Sequence, residues 1–113
     1  MQINKTTVTA HGRIVDGPEI TVCNAIDGTA TIATRDIEVE YTNPRGRWNI
    51  ARITVSGTKT NGSGRYVRAV WHGLGTGANT LTTAPRWAQG WALANKPADD
   101  EVGEASWPTE VTP

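Results

Sequence analysis

A chain of 113 residues with 37% apolar content, twelve glycines and no Phe is one domain with one core, built from β-branched residues and capped by five Trp and two Tyr. A single cysteine, Cys23, excludes an intramolecular disulfide and a thiolate metal centre made by this chain alone, and no apolar run approaches the ~20 residues of a membrane helix. The zero formal charge conceals a basic body and an acidic end: residues 1–96 carry all eleven Lys and Arg against six acids, and residues 97–113 carry five acids and no base.

Met1 is followed by polar QINKTT rather than a basic and then an apolar run, so no signal peptide is expected and the protein is placed in the cytoplasm. Residues Thr6 to Val15 set Val8, Ala10, Gly12 and Ile14 on one parity and Thr7, Thr9, His11 and Arg13 on the other, the alternation of a half-buried strand. Asp16-Gly17-Pro18 turns the chain, and Glu19 to Ile26 repeats the alternation with Ile20, Val22 and Ile26 inward. Asp27-Gly28 is a hairpin signal. From Thr29 to Tyr41 the parity conflicts, Ile32 being even and Ile37, Val39 and Tyr41 odd, which a bulge or break near Thr34 to Asp36 would reconcile.

Asn43-Pro44-Arg45-Gly46 carries the residues a type I turn prefers, and a four-residue loop closed by Thr42 and Arg47 would set Tyr41 opposite Trp48, Val39 opposite Ile50 and Ile37 opposite Arg52. Asn61-Gly62 suits a two-residue type I′ turn, which would set Arg52 opposite Trp71, Ile53 opposite Val70 and Val55 opposite Arg68, while Gly57 and Gly64 leave room for a longer loop with another register. One face then gathers Ile37, Val39, Tyr41, Trp48, Ile50, Val67, Ala69 and Trp71. The other gathers Asp36, Glu38, Glu40 and Asn49 beside an apolar strip of Ala51, Ile53, Val55 and Val70. After a Gly-rich connection, Thr83-Ala84-Pro85 predicts a helix start with a capping hydroxyl, and Asn95-Lys96-Pro97 a stop. Ala84, Trp87, Ala88, Trp91 and Asn95 share one helical face, leaving Leu93 on the side of Arg86 and Gln89. The last seventeen residues have a disordered composition, with Val102, Trp107 and Val111 as apolar points that could dock.

From Ile37 onward, a strand followed by Trp48, then RITVSG, a Gly-bounded turn with Lys and Arg, a strand ending in Trp71, and APRW opening a helix before Pro97 resemble short uncharacterised proteins encoded by actinobacteria and their phages. The resemblance spans residues 37–97 and implies a small intracellular or phage-encoded accessory protein, in the host cytoplasm if phage-encoded, without assigned active residues.

Enzymatic chemistry finds little to stand on. A nucleophile needs a positioned base and an orienting acid, and His11, His72, Ser56, Ser63, Ser106 and Cys23 fall in no catalytic signature. No metal or cofactor is expected. Gly73, Gly75 and Gly77 follow a strand and precede a helix, the order of a phosphate loop, but with the spacing of a linker. The Arg-aromatic interleaving from Asp36 to His72 suggests nucleic acid until the turns are placed. Lys59 and Arg65 then lie one strand, roughly 33 Å, from Arg45 and Arg47.

The sequence thus predicts an α+β domain over residues 1–96, a meander of about five mostly antiparallel strands with one C-terminal helix on the core face, and an acidic tail over 97–113. The expected function is non-catalytic binding of a macromolecule, foremost a protein or a second copy through Ile53, Val55 and Val70. The alternative is a nucleic-acid or anion site of Arg45, Arg47, His72, Gly73, Gly75 and Gly77, with the acidic tail as an intramolecular cover.

Overall fold

The structure, a computed structural model, describes residues 7–25, 28–43, 47–60, 64–73, 80–97 and 110–111. Strands β1 (Thr7–Ile14), β2 (Glu19–Ala25), β3 (Gly28–Thr42), β4 (Asn49–Lys59) and β5 (Tyr66–His72) are followed by a 3₁₀ turn, Leu81–Thr83, helix α1 (Arg86–Ala94) and a two-residue strand β6 (Glu110–Val111). The fold is α+β. β3, β4 and β5 form the expected antiparallel meander, and β1 and β2 both pair antiparallel with β3.

Two strands can share β3 because it bends. Its register against β4 shifts between Thr34 and Asp36, where the parity conflict calls for a bulge or break: it is a bulge, with Arg35 as the extra residue. Before the bulge β3 carries β2 through Ala30–Ala33; beyond it β3 carries β1 through Asp36–Thr42. A bridge between Ala25 and Ala69 then brings β2 against β5, so β2, β3, β4 and β5 close on themselves. β1 lies outside that ring. At the corner between β1 and β2, Asp16 adopts φ 51°, a left-handed conformation that Asp tolerates. Thr34 locks this corner by donating its hydroxyl to the Pro18 carbonyl at 2.8 Å.

The core gathers Val8, Ala10 and Ile14 of β1, Ile32, Ile37, Val39 and Tyr41 of β3, Ala69 and Trp71 of β5, and Trp48, all buried, with Ile50 and Val67 packed against it. Two expectations need correction. Thr42 faces Asn49 rather than Arg47, because Trp48 leaves the strand and turns into the core, where it is 1% exposed. A second register shift between Glu40 and Tyr41 makes Ala51 the extra residue of β4. The β4–β5 register is also displaced by one from that of the two-residue turn, Arg52 pairing with His72 and Lys59 N–H donating to the Arg65 carbonyl at 2.7 Å, which agrees with the longer loop that Gly57 and Gly64 allow. A one-residue slip exchanges the faces of a strand. Ile53 and Val55 therefore stand opposite Val39 and Ile37 in the core, 1% and 0% exposed, and the proposed interface strip of Ile53, Val55 and Val70 does not exist. Val70 remains half-buried on the other face, opposite Thr54.

Helix α1 covers the core face as expected, with Ala84, Ala88 and Ala92 buried and Trp87 and Trp91 packed at their flanks; Leu93 is exposed. The capping hydroxyl does a different job. Thr83 Oγ1 donates to the Thr80 carbonyl at 2.7 Å within the 3₁₀ turn, and Pro85 stands at the N-cap without a side-chain cap bond. At the other end Asn95 Nδ2 donates to the Trp91 carbonyl at 2.9 Å, and the Tyr41 hydroxyl donates to the Ala92 carbonyl at 2.7 Å. The Trp91 carbonyl also accepts the Asn95 backbone N–H at 3.1 Å, whereas the Ala92 carbonyl is a last-turn acceptor that the tyrosine satisfies. Tyr41 thus ties the helix to β3 by a buried bond across 51 residues of chain.

Pro44, Arg45, Gly46, Asn61, Gly62, Gly75, Gly77, Val102 and Trp107 lie outside the described residues, so the turns and the loop expected there do too. Val111 lies in β6, level with Ile14 of β1.

Candidate functional site

At the end of the sheet where an anion site is expected, the described residues are Arg47, His72 and Gly73; Arg45, Gly75 and Gly77 are outside them. Arg47 is exposed, and its carbonyl accepts a bond from Asn49 Nδ2 at 3.3 Å. His72 is exposed opposite Arg52. Beside His72 lies a hollow of about 530 Å³, lined by Thr42, Asn49, Ile50, Ala51, His72 and Gly73. Among its described lining residues His72 is the one titratable side chain. The Gly73 amide cannot cradle a phosphate there, because it donates to the Ala51 carbonyl at 2.8 Å. The structure brings His72 and Gly73 together and places Arg47 two residues from a lining position, but the wall they share is largely apolar.

A second constellation lies across the face opposite the core, and it appears only when β1 is set beside β3. The register aligns His11 with Glu38 and Arg13 with Asp36, then Glu40 with Arg52 and Asp36 with Ser56. Arg52 Nη2 stands 3.4 Å from Glu40 Oε2 and 3.9 Å from Glu38 Oε1, while His11 Nδ1 is 3.8 Å from Glu38 Oε2. A hollow of about 310 Å³ opens among His11, Gly12, Arg13, Asp36, Glu38 and Ser56. Alternation on β1 and β3 shows each row in the sequence, yet not that the rows are neighbours. Pairs this exposed contribute about 0–1 kcal/mol each. Their effect on function is to neutralise: three carboxylates on β3 occupy the middle of the face, so it is not a basic surface.

Tyr66 reaches across β4 on this face, its hydroxyl donating to Asp36 Oδ2. Desolvation, followed by the bond to Asp36 and that carboxylate's charge, pushes the phenol up to about 12. Burial raises Tyr41 further above its ordinary 10. A raised folded-state phenol keeps its proton where the unfolded chain loses it, so this stability is intact below pH 10 and is lost as pH rises from 10 through about 12. In an alkaline titration followed at 295 nm, Tyr66 should ionise near 12 and Tyr41 only on unfolding. Tyr66→Phe should remove the first phase while changing neutral-pH stability by less than about 0.5 kcal/mol, Tyr66 being 57% exposed.

The outer side of β1 is the third candidate. β1 pairs with β3 through seven consecutive residue pairs without a register shift, from Thr7↔Thr42 to Arg13↔Asp36. On its other side only Arg13 and Ile14 are paired, with Glu110 and Val111 of β6. Thr7 to Gly12 is thus a run of six residues unpaired on that side, matched in length by Glu19 to Asn24 of β2 but, unlike it, on a strand without a register shift. It contains no Lys, Pro or bulge, the usual devices that keep an edge from pairing. Burial of Val8, Ala10 and Ile14 holds it rigid.

Among the described residues no group of three or more His, Cys, Asp or Glu side chains is placed to hold a metal, and no helix is long and apolar enough to cross a membrane. No family model matches the chain, and neither a curated protein nor a solved structure shows significant similarity to it.

Proposed function

We propose that this protein is a non-catalytic accessory module, of the phage- or actinobacterium-encoded kind its sequence resembles, and that it acts by binding a protein partner along the open side of β1. The observation that carries this is the regular, anchored and unprotected edge from Thr7 to Gly12. An edge of that kind offers a row of backbone donors and acceptors to an incoming strand, with side-chain pockets at alternate positions supplying selectivity. A protein partner is favoured over nucleic acid because Arg52 is committed to Glu38 and Glu40, and because Trp48 and Trp71, 1% and 2% exposed, present no ring to a base.

The test uses the full chain as bait in host extract, beside a double variant, Thr9→Lys with His11→Lys, which places two charges on the edge strand without entering the core. The expected result is a protein captured by the native chain and lost by the variant, with a DNA titration showing no steep salt dependence. Capture unaffected by the variant, or capture abolished by nuclease, would overturn it. A dimer in light scattering that the variant dissolves would identify the partner as a second copy.

A further inference from the structure

β6 shows what the edge of β1 accepts. Glu110 and Val111 lie parallel to β1, level with Arg13 and Ile14, on the side that is open from Thr7 to Gly12. It is the one parallel strand pair among the described strands, every other pairing being antiparallel. Charge favours the same arrangement: Thr7 to Val15 contains His11 and Arg13 and no acid, whereas residues 97–113 contain five acids and no base. We infer that the β1 edge selects an acidic strand laid parallel to it, and that the chain's own C-terminus, through Glu110 and Val111, occupies part of this edge in cis and competes with the partner's strand.

This rests on the assignment of the β1 edge as the binding surface and adds the orientation, the charge and the built-in competitor. A tethered strand acts at an effective concentration in the millimolar range, so even a short pairing holds the edge for much of the time. A site open for only a fraction of the time binds an external ligand more weakly by that fraction. Two paired residues remain displaceable, which suits a competitor rather than a permanent strand.

The experiment uses the full chain and a fluorescein-labelled synthetic peptide of residues 106–113, SWPTEVTP, as the probe in trans. Val111→Pro removes a backbone donor from β6 and leaves the five-stranded body unchanged. The expected result is that the Val111→Pro chain binds the probe about fivefold more tightly than the native chain, as for an edge freed from a competitor occupying it ~80% of the time. A probe carrying Glu110→Lys should bind either chain more weakly, the difference shrinking with salt. A spin label on the probe's N-terminus should broaden amide signals at the Thr7 end of β1, and broadening at the Ile14 end would overturn the parallel orientation. Equal affinity of the native and Val111→Pro chains would overturn the competition while leaving the edge as a binding surface. No binding by either chain, without movement of β1 amide signals, would overturn both. A native dimer dissolved by Val111→Pro would show the C-terminal strand pairing in trans and overturn its role in cis.

Discussion

Trp48→Ala is expected to lower the unfolding free energy by about 3–5 kcal/mol, a large share of the ~5–15 kcal/mol that holds a domain of this size. Trp48 is 1% exposed and is the largest fully buried side chain among the described residues. It belongs to no strand, preceding Asn49 at the start of β4. Its indole is held by packing within the cluster that includes Tyr41, Ile53, Trp71 and the alanine face of α1. Removing it leaves a cavity at the junction of sheet and helix, which a backbone tied by Tyr41 to the Ala92 carbonyl cannot readily collapse. Urea unfolding followed by far-ultraviolet circular dichroism measures this: the midpoint should fall sharply with an unchanged slope. A loss below about 1 kcal/mol would mean that Trp48 lies at the surface.

Trp48 also shows where reading the chain alone stops. Alternation identifies β1 through β5, the parity clash between Ile32 and Ile37 places an irregularity near Thr34 to Asp36, and Pro85 and Pro97 bracket the helix, because each is a local consequence of residue type. Strand register is different. Ala51 and Trp48 are both compatible with a regular strand, so local preference does not reveal that one bulges and the other leaves; those two departures carry Ile53 and Val55 into the core. The candidate sites inherit the difference. The His11–Glu38–Arg52 cluster and the edge from Thr7 to Gly12 both depend on β1 pairing with β3 across more than twenty residues rather than with β2 next to it, a long-range choice that no turn signal encodes. What does survive from the sequence into the proposed mechanism is the charge division between the body and the C-terminus, since charge is counted without knowing the fold.

Gly57→Ala is expected to cost about 3 kcal/mol, at the upper end of overpacking effects, and it tests the closure of the ring itself. Gly57 is buried on β4 opposite Thr34, beside the bulge at which β3 changes neighbours. A Cβ at Gly57 would overlap the Ala33 carbonyl oxygen and come within 2.7 Å of the Ala33 carbonyl carbon and 2.8 Å of Ile32 Cγ2. Two of these atoms are backbone of a strand paired on both sides, with β2 through Glu19↔Ala33 and with β4 through Ala33↔Thr58, so relief requires the ring to open. Gly90→Ala provides the control. A Cβ there meets nothing within 4 Å, and Gly90 lies inside α1, so the same chemical change should stabilise the protein by about 0.5–1 kcal/mol. Thermal unfolding of the two variants should therefore move in opposite directions. If Gly57→Ala were neutral, β3 and β4 would not approach this closely, and β2 would lack the geometry to reach both β3 and β5. β2 would then lose its one bridge to β5, at Ala25↔Ala69, and its whole side away from β3 would stand open as a second edge beside that of β1. The strength of the loss at Gly57 thus bears directly on whether β1 is the edge a partner finds.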